Sequence, residues 1–313
     1  MTADVLKAGI QTTVQAGPRR GHRHWGMPWS GAADPLSCVL ANRAVGNTAH
    51  AGALEISYGL FSLQFLESTL FCLMGAPARA TINDTAIPYG RPIEVSSKDI
   101  LILGATDQGV RTYLAVLGGF AASTIMGSQS TYLPAALGGF DGRALQDGDR
   151  LYTGVDRSDQ NPIPIPVEHH VSIQTQWRLR LHVAPGIARR SANHHRLFNE
   201  PFTATRRADR MGIQIEGPQI DGIETPHMES VPVFPGTVQY PPDGKPYLLL
   251  CDAQTTGGYP RIGQIARVDR YKLGQIRPGN TVQFLEVSPQ TANRALAAKR
   301  DMLRELHADS VFD

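Results

Sequence analysis

The chain has 313 residues, 42% hydrophobic and 19% charged, which supplies a full core and excludes a disordered or fibrous protein. Thirty Lys and Arg stand against 28 Asp and Glu, a formal charge of +2, with no dense basic run interleaved with aromatics, so nucleic acid is excluded as a partner. No stretch reaches the roughly 18 apolar residues of a membrane helix. The start carries no signal-type run, and Cys38, Cys72 and Cys251 are odd in number and set in apolar patterns, so a cytoplasmic protein without disulfides or a cysteine-zinc site is predicted.

In chain order, the first distinctive stretch runs from Gln11 to Asp34 and gathers Arg19, Arg20, Arg23, Trp25 and Trp29. Cations and aromatics so close together suit an anionic substrate or a partner's surface. His22 and His24 would share a face if extended, but two ligands do not make a metal site, and solvated histidines are the alternative there, as for His169, His170, His194 and His195. No metal site is predicted. A helix follows: Asp34 caps it, Pro35 fits its first position, Leu36, Val39 and Leu40 form its apolar stripe and Gly46 ends it.

Short β-type runs then dominate: Phe61 to Phe65, Leu70 to Met74, Ile100 to Leu103, Tyr113 to Leu117, Leu179 to Val183, Tyr247 to Cys251, Ile262 to Val268 and Thr281 to Val287. Thirty-one Gly and 22 Pro punctuate them, which predicts a mainly β protein of barrels or sandwiches with a few short helices. Between these runs lie two glycine-rich clusters. Gly127 to Thr131 followed by Gly138, Gly139, Phe140, Asp141, Gly142 and Arg143 offers backbone N–H groups and a guanidinium to an anion, although glycine turns joined by a surface arginine would read the same way. The loop from Asp252 to Pro260 receives a carboxylate, an amide, two hydroxyls and a phenol from a buried strand; a plain turn is the alternative.

The proline-rich stretch from 156 to 168 cannot join a central sheet and marks a boundary. The predicted division is a first lobe over 1–155, a connection over 156–172, a second lobe over 173–290 and a C-terminal helix over 291–313, opened by Ser288 and Pro289 and running toward His307. No Walker loop, Gly-x-Ser-x-Gly elbow, Cys-x-x-Cys pair or Ala-Met-Lys-Met biotin attachment motif occurs.

These clusters, in this order, resemble the 5-oxoprolinase C-subunit family, known also as allophanate hydrolase subunit 2, KipA-like or biotin-dependent carboxyltransferase. The likeness covers about residues 8 to 290: Gly9 to Gln15, then Arg19, Gly21 and Asp34, the pair Leu54 and Glu55, Arg111 with Tyr113 to Val116, Gly139 with Gly142 and Arg143, Asp209 to Gly212, the Asp252 to Pro260 loop, and Gln275 with Pro278 and Gly279. Ala16, Pro18 and Gln214 depart from the family's usual Asp, Gly and Arg. The resemblance implies two cyclophilin-like β-barrel lobes.

It also implies a function: one component of an ATP-dependent 5-oxoprolinase, active only beside a B-type partner and a lactam-opening partner, with ATP and magnesium bound with the partner and no biotin attached to this chain. Phosphorylating an amide oxygen needs cations and N–H donors around the phosphate. On the resemblance, Arg19, Arg143 and Arg210 would contact phosphate or substrate carboxylate, and Gly138, Gly139, Gly257 and Gly258 would supply backbone donors. Asp252 would hold magnesium or orient substrate, while Gln254, Thr255 and Tyr259 would hydrogen-bond the lactam. The alternatives are a carboxyltransferase component of a urea or amide carboxylase and a KipA-like regulatory binding protein.

Overall fold

In strand Gly59–Phe65, Phe61, Leu63 and Phe65 are buried while Leu60, Ser62 and Gln64 are wholly or partly exposed, the period-two pattern of a sheet with one face on a core. The computed structural model describes residues 2–155, 161–185, 191–223 and 228–312. Gly59–Phe65 lies third in a six-stranded sheet ordered Arg150–Tyr152, Thr2–Lys7, Gly59–Phe65, Ile100–Thr106, Ala78–Ile82 and Thr85–Ala86. A five-stranded sheet, ordered Gln11–Gln15, Ala53–Ser57, Arg111–Val116, Thr69–Gly75 and Ile93–Val95, faces it. Val5, Phe61 and Leu101 of the first sheet meet Val14, Leu73 and Leu114 of the second in one core. The wall of the first lobe is therefore two hydrogen-bonded sheets over a shared interior.

Arg111–Val116 is buried at every position. Its inner face meets that core and its outer face lies under helix α1 (Pro35–Ala44), whose Leu36, Val39 and Leu40 pack with Cys72, Met74, Tyr113 and Ala115. Burial on both faces explains why its sequence does not alternate. The cap of α1 is the expected one: Ser37 N donates to Asp34 Oδ1 at 3.1 Å, and Gly46 turns the chain at φ 80°.

The second lobe closes into a seven-stranded barrel in the order Gln176–Val183, Arg261–Ile265, Thr237–Gln239, Tyr247–Leu249, Gly212–Glu216, Phe202–Ala208 and Thr281–Glu286. Closure joins Gln176–Val183 to Thr281–Glu286 in parallel, while every other barrel pairing is antiparallel. Trp177, Leu179, Phe202, Ile215, Val238 and Phe284 fill the interior, and the buried indole donates to Asn280 Oδ1 at 3.0 Å. Two strands are shorter than the apolar runs suggest. Tyr247–Leu249 stops before Cys251, and Arg261–Ile265 gives way at Arg267 to a 3₁₀ helix reaching Gln275, because Arg267, Asp269 and Arg270 end the alternation.

Of the proline-rich connection, residues 156–160 lie outside the described residues. The rest lies along the first lobe, where Ile163 N donates to Ala44 O at 3.1 Å and Ile165 N to Gly90 O at 2.7 Å. After the single turn α2 (Arg196–Asn199), the last helix, α3 (Pro289–Arg304), starts two residues before the expected 291 and stops short of His307. Ser288 Oγ accepts from Thr291 N at 3.2 Å. A final 3₁₀ turn, Asp309–Phe312, folds back so that Phe312 joins the core beneath α1. Among the described residues no helix is long and apolar enough to cross a membrane.

Candidate functional site

The lobes meet across a buried chain of charge. Glu55, at the centre of Ala53–Ser57, is 2% exposed; its Oε1 accepts from Arg111 Nε at 3.2 Å and Arg210 Nη1 at 2.5 Å, and its Oε2 from Tyr113 Oη at 2.7 Å and Ala33 N at 2.8 Å. Arg210 reaches across from the second lobe, gripping Asp252 through Nε at 2.7 Å and Nη2 at 3.2 Å and donating to Gly31 O at 2.6 Å. Two guanidinium groups thus face two carboxylates, the arrangement that offsets the desolvation of each. Burial pushes the Glu55 carboxyl up, but Arg210 and Arg111 outweigh it and hold the group below the ordinary glutamate value. Burial likewise opposes the charge on Arg210, and Asp252 and Glu55 raise its pKa well above normal.

Gln275 completes the seam. Its Oε1 accepts from Val110 N and Arg111 N, and its Nε2 donates to Asp34 Oδ2 at 2.8 Å and Arg111 O at 2.9 Å. Beside it the chain passes so closely that a Cβ on Gly274 would sit 2.5 Å from the Ala33 carbonyl, so only glycine fits. Burial pushes Asp34 up to about 6, with the Glu55 charge adding to the rise and bonds from Gln275 and Ser37 opposing it.

Around this seam the structure gathers some predicted residues and not others. Arg19 is fully buried; Nε donates to Ile125 O at 3.0 Å and Nη2 to Ser130 O at 2.8 Å, while Nη1 is buried without a partner. Burial lowers its pKa and the charge of Asp252 acts in the opposite direction, reaching Tyr132 as well. Arg19, Asp252 and Tyr132 therefore share one electrostatic neighbourhood. Gly138 lies against Arg19, where a Cβ would fall 3.0 Å from Nη2. On the second-lobe side, Gln254 Nε2 donates to Gln239 Oε1 at 3.1 Å, and Gln239 Nε2 is a second buried donor without a partner. A Cβ on Gly257 would lie 2.4 Å from that nitrogen, so glycine there is what lets the amide stand where it does.

Other candidates stand apart. Arg143 forms a bidentate pair with Asp149 at 2.7 and 2.8 Å and lies over the Phe140 ring, so its charge is spent on its own loop, as in the surface-arginine alternative. Gly139 donates its N–H to Gln129 O at 2.9 Å and has none to offer a ligand. Asp252 spends both oxygens on Arg210, so it does not fit a magnesium ligand, and no group of three His, Cys, Asp or Glu able to hold a metal occurs among the described residues. The Thr255 carbonyl accepts from Val233 N and Arg23, Gly258 lies near the Met228 carbonyl, and Tyr259 is half exposed. Glu55, Arg111, Gln239 and Gln275 lie outside the set of predicted site residues. The signal is a charge set in an apolar strand, Glu55 at the centre of one and Arg111 at the start of another, which burial makes expensive unless it is paired.

Next to this cluster, between the lobes, lies a cavity of about 530 Å³. None of the eleven predicted site residues lines it, although its wall holds Pro18, Arg20 and Cys251, the chain neighbours of Arg19 and Asp252. The partnerless donors locate the polar chemistry better than the size of the void does, because an orphaned buried donor needs a partner and a void does not.

A closed barrel, a two-sheet lobe and a buried ionic seam define a two-lobed β-protein whose polar site is built at the lobe junction. The chain belongs to the carboxyltransferase domain family, subdomains A and B, whose model matches residues 25–286. It is 36% identical over 303 residues to the 5-oxoprolinase C subunit of Escherichia coli, covering 96% of this chain and 95% of that protein. A protein of the same name from Haemophilus influenzae is 32% identical over 311 residues, 98% of this chain and 97% of that one. The crystal structure of Kluyveromyces lactis urea carboxylase matches with a TM-score of 0.92 at 27% identity, over 97% of this chain and 29% of that longer protein.

Proposed function

We propose that this chain is the C subunit of an ATP-dependent 5-oxoprolinase that works only as part of a complex, in the cytoplasm. Similarity along nearly the full length of two proteins of that name supports the reading. The single structural observation that carries it is the buried Arg19 with a partnerless Nη1, held in the field of Asp252 at the lobe junction. A fixed, desolvated donor is what stabilises oxygen charge in a transition state, because it needs no reorganisation when the charge appears.

In the proposed reaction the terminal phosphoryl group of ATP passes to the amide oxygen of 5-oxoproline, leaving ADP, and water on the lactam-opening partner then opens the ring to glutamate and releases phosphate. Arg19 Nη1 and Gln239 Nε2 would receive the developing negative charge, with the Gly138 and Gly257 turns keeping the approach clear of side chains. Gln254, Thr255 and Tyr259 would orient the lactam. Magnesium and the nucleotide phosphates would be held chiefly by the B-type partner, since the carboxylate offered here is committed to Arg210.

A second reading has its own support in the likeness to urea carboxylase: transfer of a carboxyl group from a carboxybiotin on another chain to urea or a similar amide. One assay separates the two. Combined with its partner subunits, the chain is expected to release glutamate from 5-oxoproline in the presence of ATP, undiminished by avidin, whereas bicarbonate-dependent, avidin-sensitive carboxylation of an amide would replace the first reading with the second. The chain alone is expected to show no turnover.

A further inference from the structure

The cavity between the lobes has a composition that the polar site does not explain. Among the described residues its charged lining is Arg20, Arg267 and Arg270, its flat surfaces are Trp29, Phe234 and Tyr271, and no described Asp or Glu lines it. The 3₁₀ helix Arg267–Gln275 accounts for part of this. At three residues per turn, positions 267, 270 and 273 fall on one edge, and Arg267, Arg270 and Leu273 all line the cavity. Asp269, off that edge, turns to Arg180 Nη1 at 2.9 Å and Lys272 Nζ at 2.6 Å, so its charge serves the far side of the helix.

Arg270 is held rather than loose. Its Nε donates to Ile265 O at 3.3 Å, and a Cβ on Gly236 would lie 3.1 Å from that nitrogen, so the guanidinium is seated against bare backbone. Burial, and then the like charge of Arg267, pull its pKa down to about 10. In the same wall Ser30 is 3% exposed, sits at φ 53° and has a buried hydroxyl with no partner. Voids of roughly 300–1,000 Å³ with apolar walls and a few fixed polar groups are the usual shape of sites for small organic ligands.

We propose that this cavity binds a small organic anion, a planar or apolar body packed against Trp29, Phe234 and Tyr271 with its carboxylate, sulfonate or phosphate received by Arg270 and Arg267. The site is distinct from the cluster around Arg19, and the proposal does not rest on the oxoprolinase reading. Its volume exceeds what a single lactam ring fills, so the occupant is larger than the substrate proposed above.

Anilinonaphthalene sulfonate is the probe, with its uncharged counterpart phenylnaphthylamine as control, each titrated against the full chain by fluorescence. Saturable one-to-one binding of the sulfonate is expected, weakened at least about tenfold in Arg270→Gln, as loss of a charge-assisted contact implies. Binding of the neutral compound should be unchanged by that substitution. Arg267→Gln, at an exposed side chain, is expected to weaken the sulfonate in the same direction and carries the test if Arg270→Gln fails to melt cooperatively. Phosphate- and carboxylate-bearing naphthalenes competing with the probe show which head group is preferred. No saturable binding to the unsubstituted chain, or sulfonate affinity equal in both arginine variants and the parent, overturns the proposal.

Discussion

Asp252 sits in the loop that looks most like a reactive one, yet its carboxylate is 2% exposed and clasped by Arg210. Substituting Asp252→Ala leaves a buried guanidinium with Glu55 as its remaining carboxylate partner, and breaking a buried pair in this way costs about 3–5 kcal/mol. A clear fall in melting temperature is therefore expected, with activity lost as a consequence. Thr255→Ala is expected to lower turnover of the assembled complex while thermal unfolding changes by less than about 0.5 kcal/mol. At Gly257, Ala would meet Gln239 Nε2, the end of a side chain that can move, so reduced turnover with near-normal stability is expected.

Asp34 gives a pH signature. Its folded value of about 6 lies above its ordinary 3.8, so folding takes up a proton between those limits. The ionised group costs about 3 kcal/mol above pH 6, and that cost disappears as pH falls toward 4. Compared with Asp34→Asn, which keeps the helix cap, the parent chain should gain stability as the solution is acidified from pH 7 to pH 4. A difference between the two melting curves that stays flat over this range would rule out a raised Asp34 pKa in the folded chain.

Among the elements, the end of the chain does more than a trailing helix would. Leu303, Leu306, Ala308 and Phe312 belong to the same core as α1, and the Phe312 ring lies 6.4 Å from that of Tyr271. Phe312→Ala should cost about 3 kcal/mol, the low end of the usual range because one side of the ring borders the interlobe cavity. Urea unfolding of the variant against the parent measures it. This role is hidden in the sequence because a helix pattern shows which face is apolar but not what it covers. The caps at Asp34 and Ser288 are legible, since a cap is a local hydrogen bond between residues three apart in sequence. The 3₁₀ helix from Arg267 is not, since the edge formed by Arg267, Arg270 and Leu273 shows no apolar stripe in the sequence.

For the whole molecule, the lobes are joined by charge and close backbone contact as well as by apolar area, and an aromatic hook stands outside that joint. Trp25 is 66% exposed, flanked by the rings of His22 and His24 at 5.3 and 4.7 Å. An exposed aromatic stacked on its neighbours is the kind of residue that anchors a partner. Trp25→Ala is expected to leave the melting temperature unchanged while weakening association with the partner subunits about tenfold or more, read by analytical ultracentrifugation of the mixed chains.

The sequence by itself determined the mainly β character, the capped helices and the family, because alternation, glycine and proline punctuation and cap residues act within a few positions along the chain. It also brought Arg19, Gly138, Gln254 and Gly257 into view through loops rich in glycine and polar groups. Only the tertiary structure decided which polar groups are left without a partner and which are spent. Arg143 closes on Asp149 six residues away, whereas Arg210 leaves its own barrel to meet Glu55, 155 residues distant in sequence. A charge's role depends on the countercharge that folding brings to it, and that distance is written in the packing of the two lobes rather than in any local pattern.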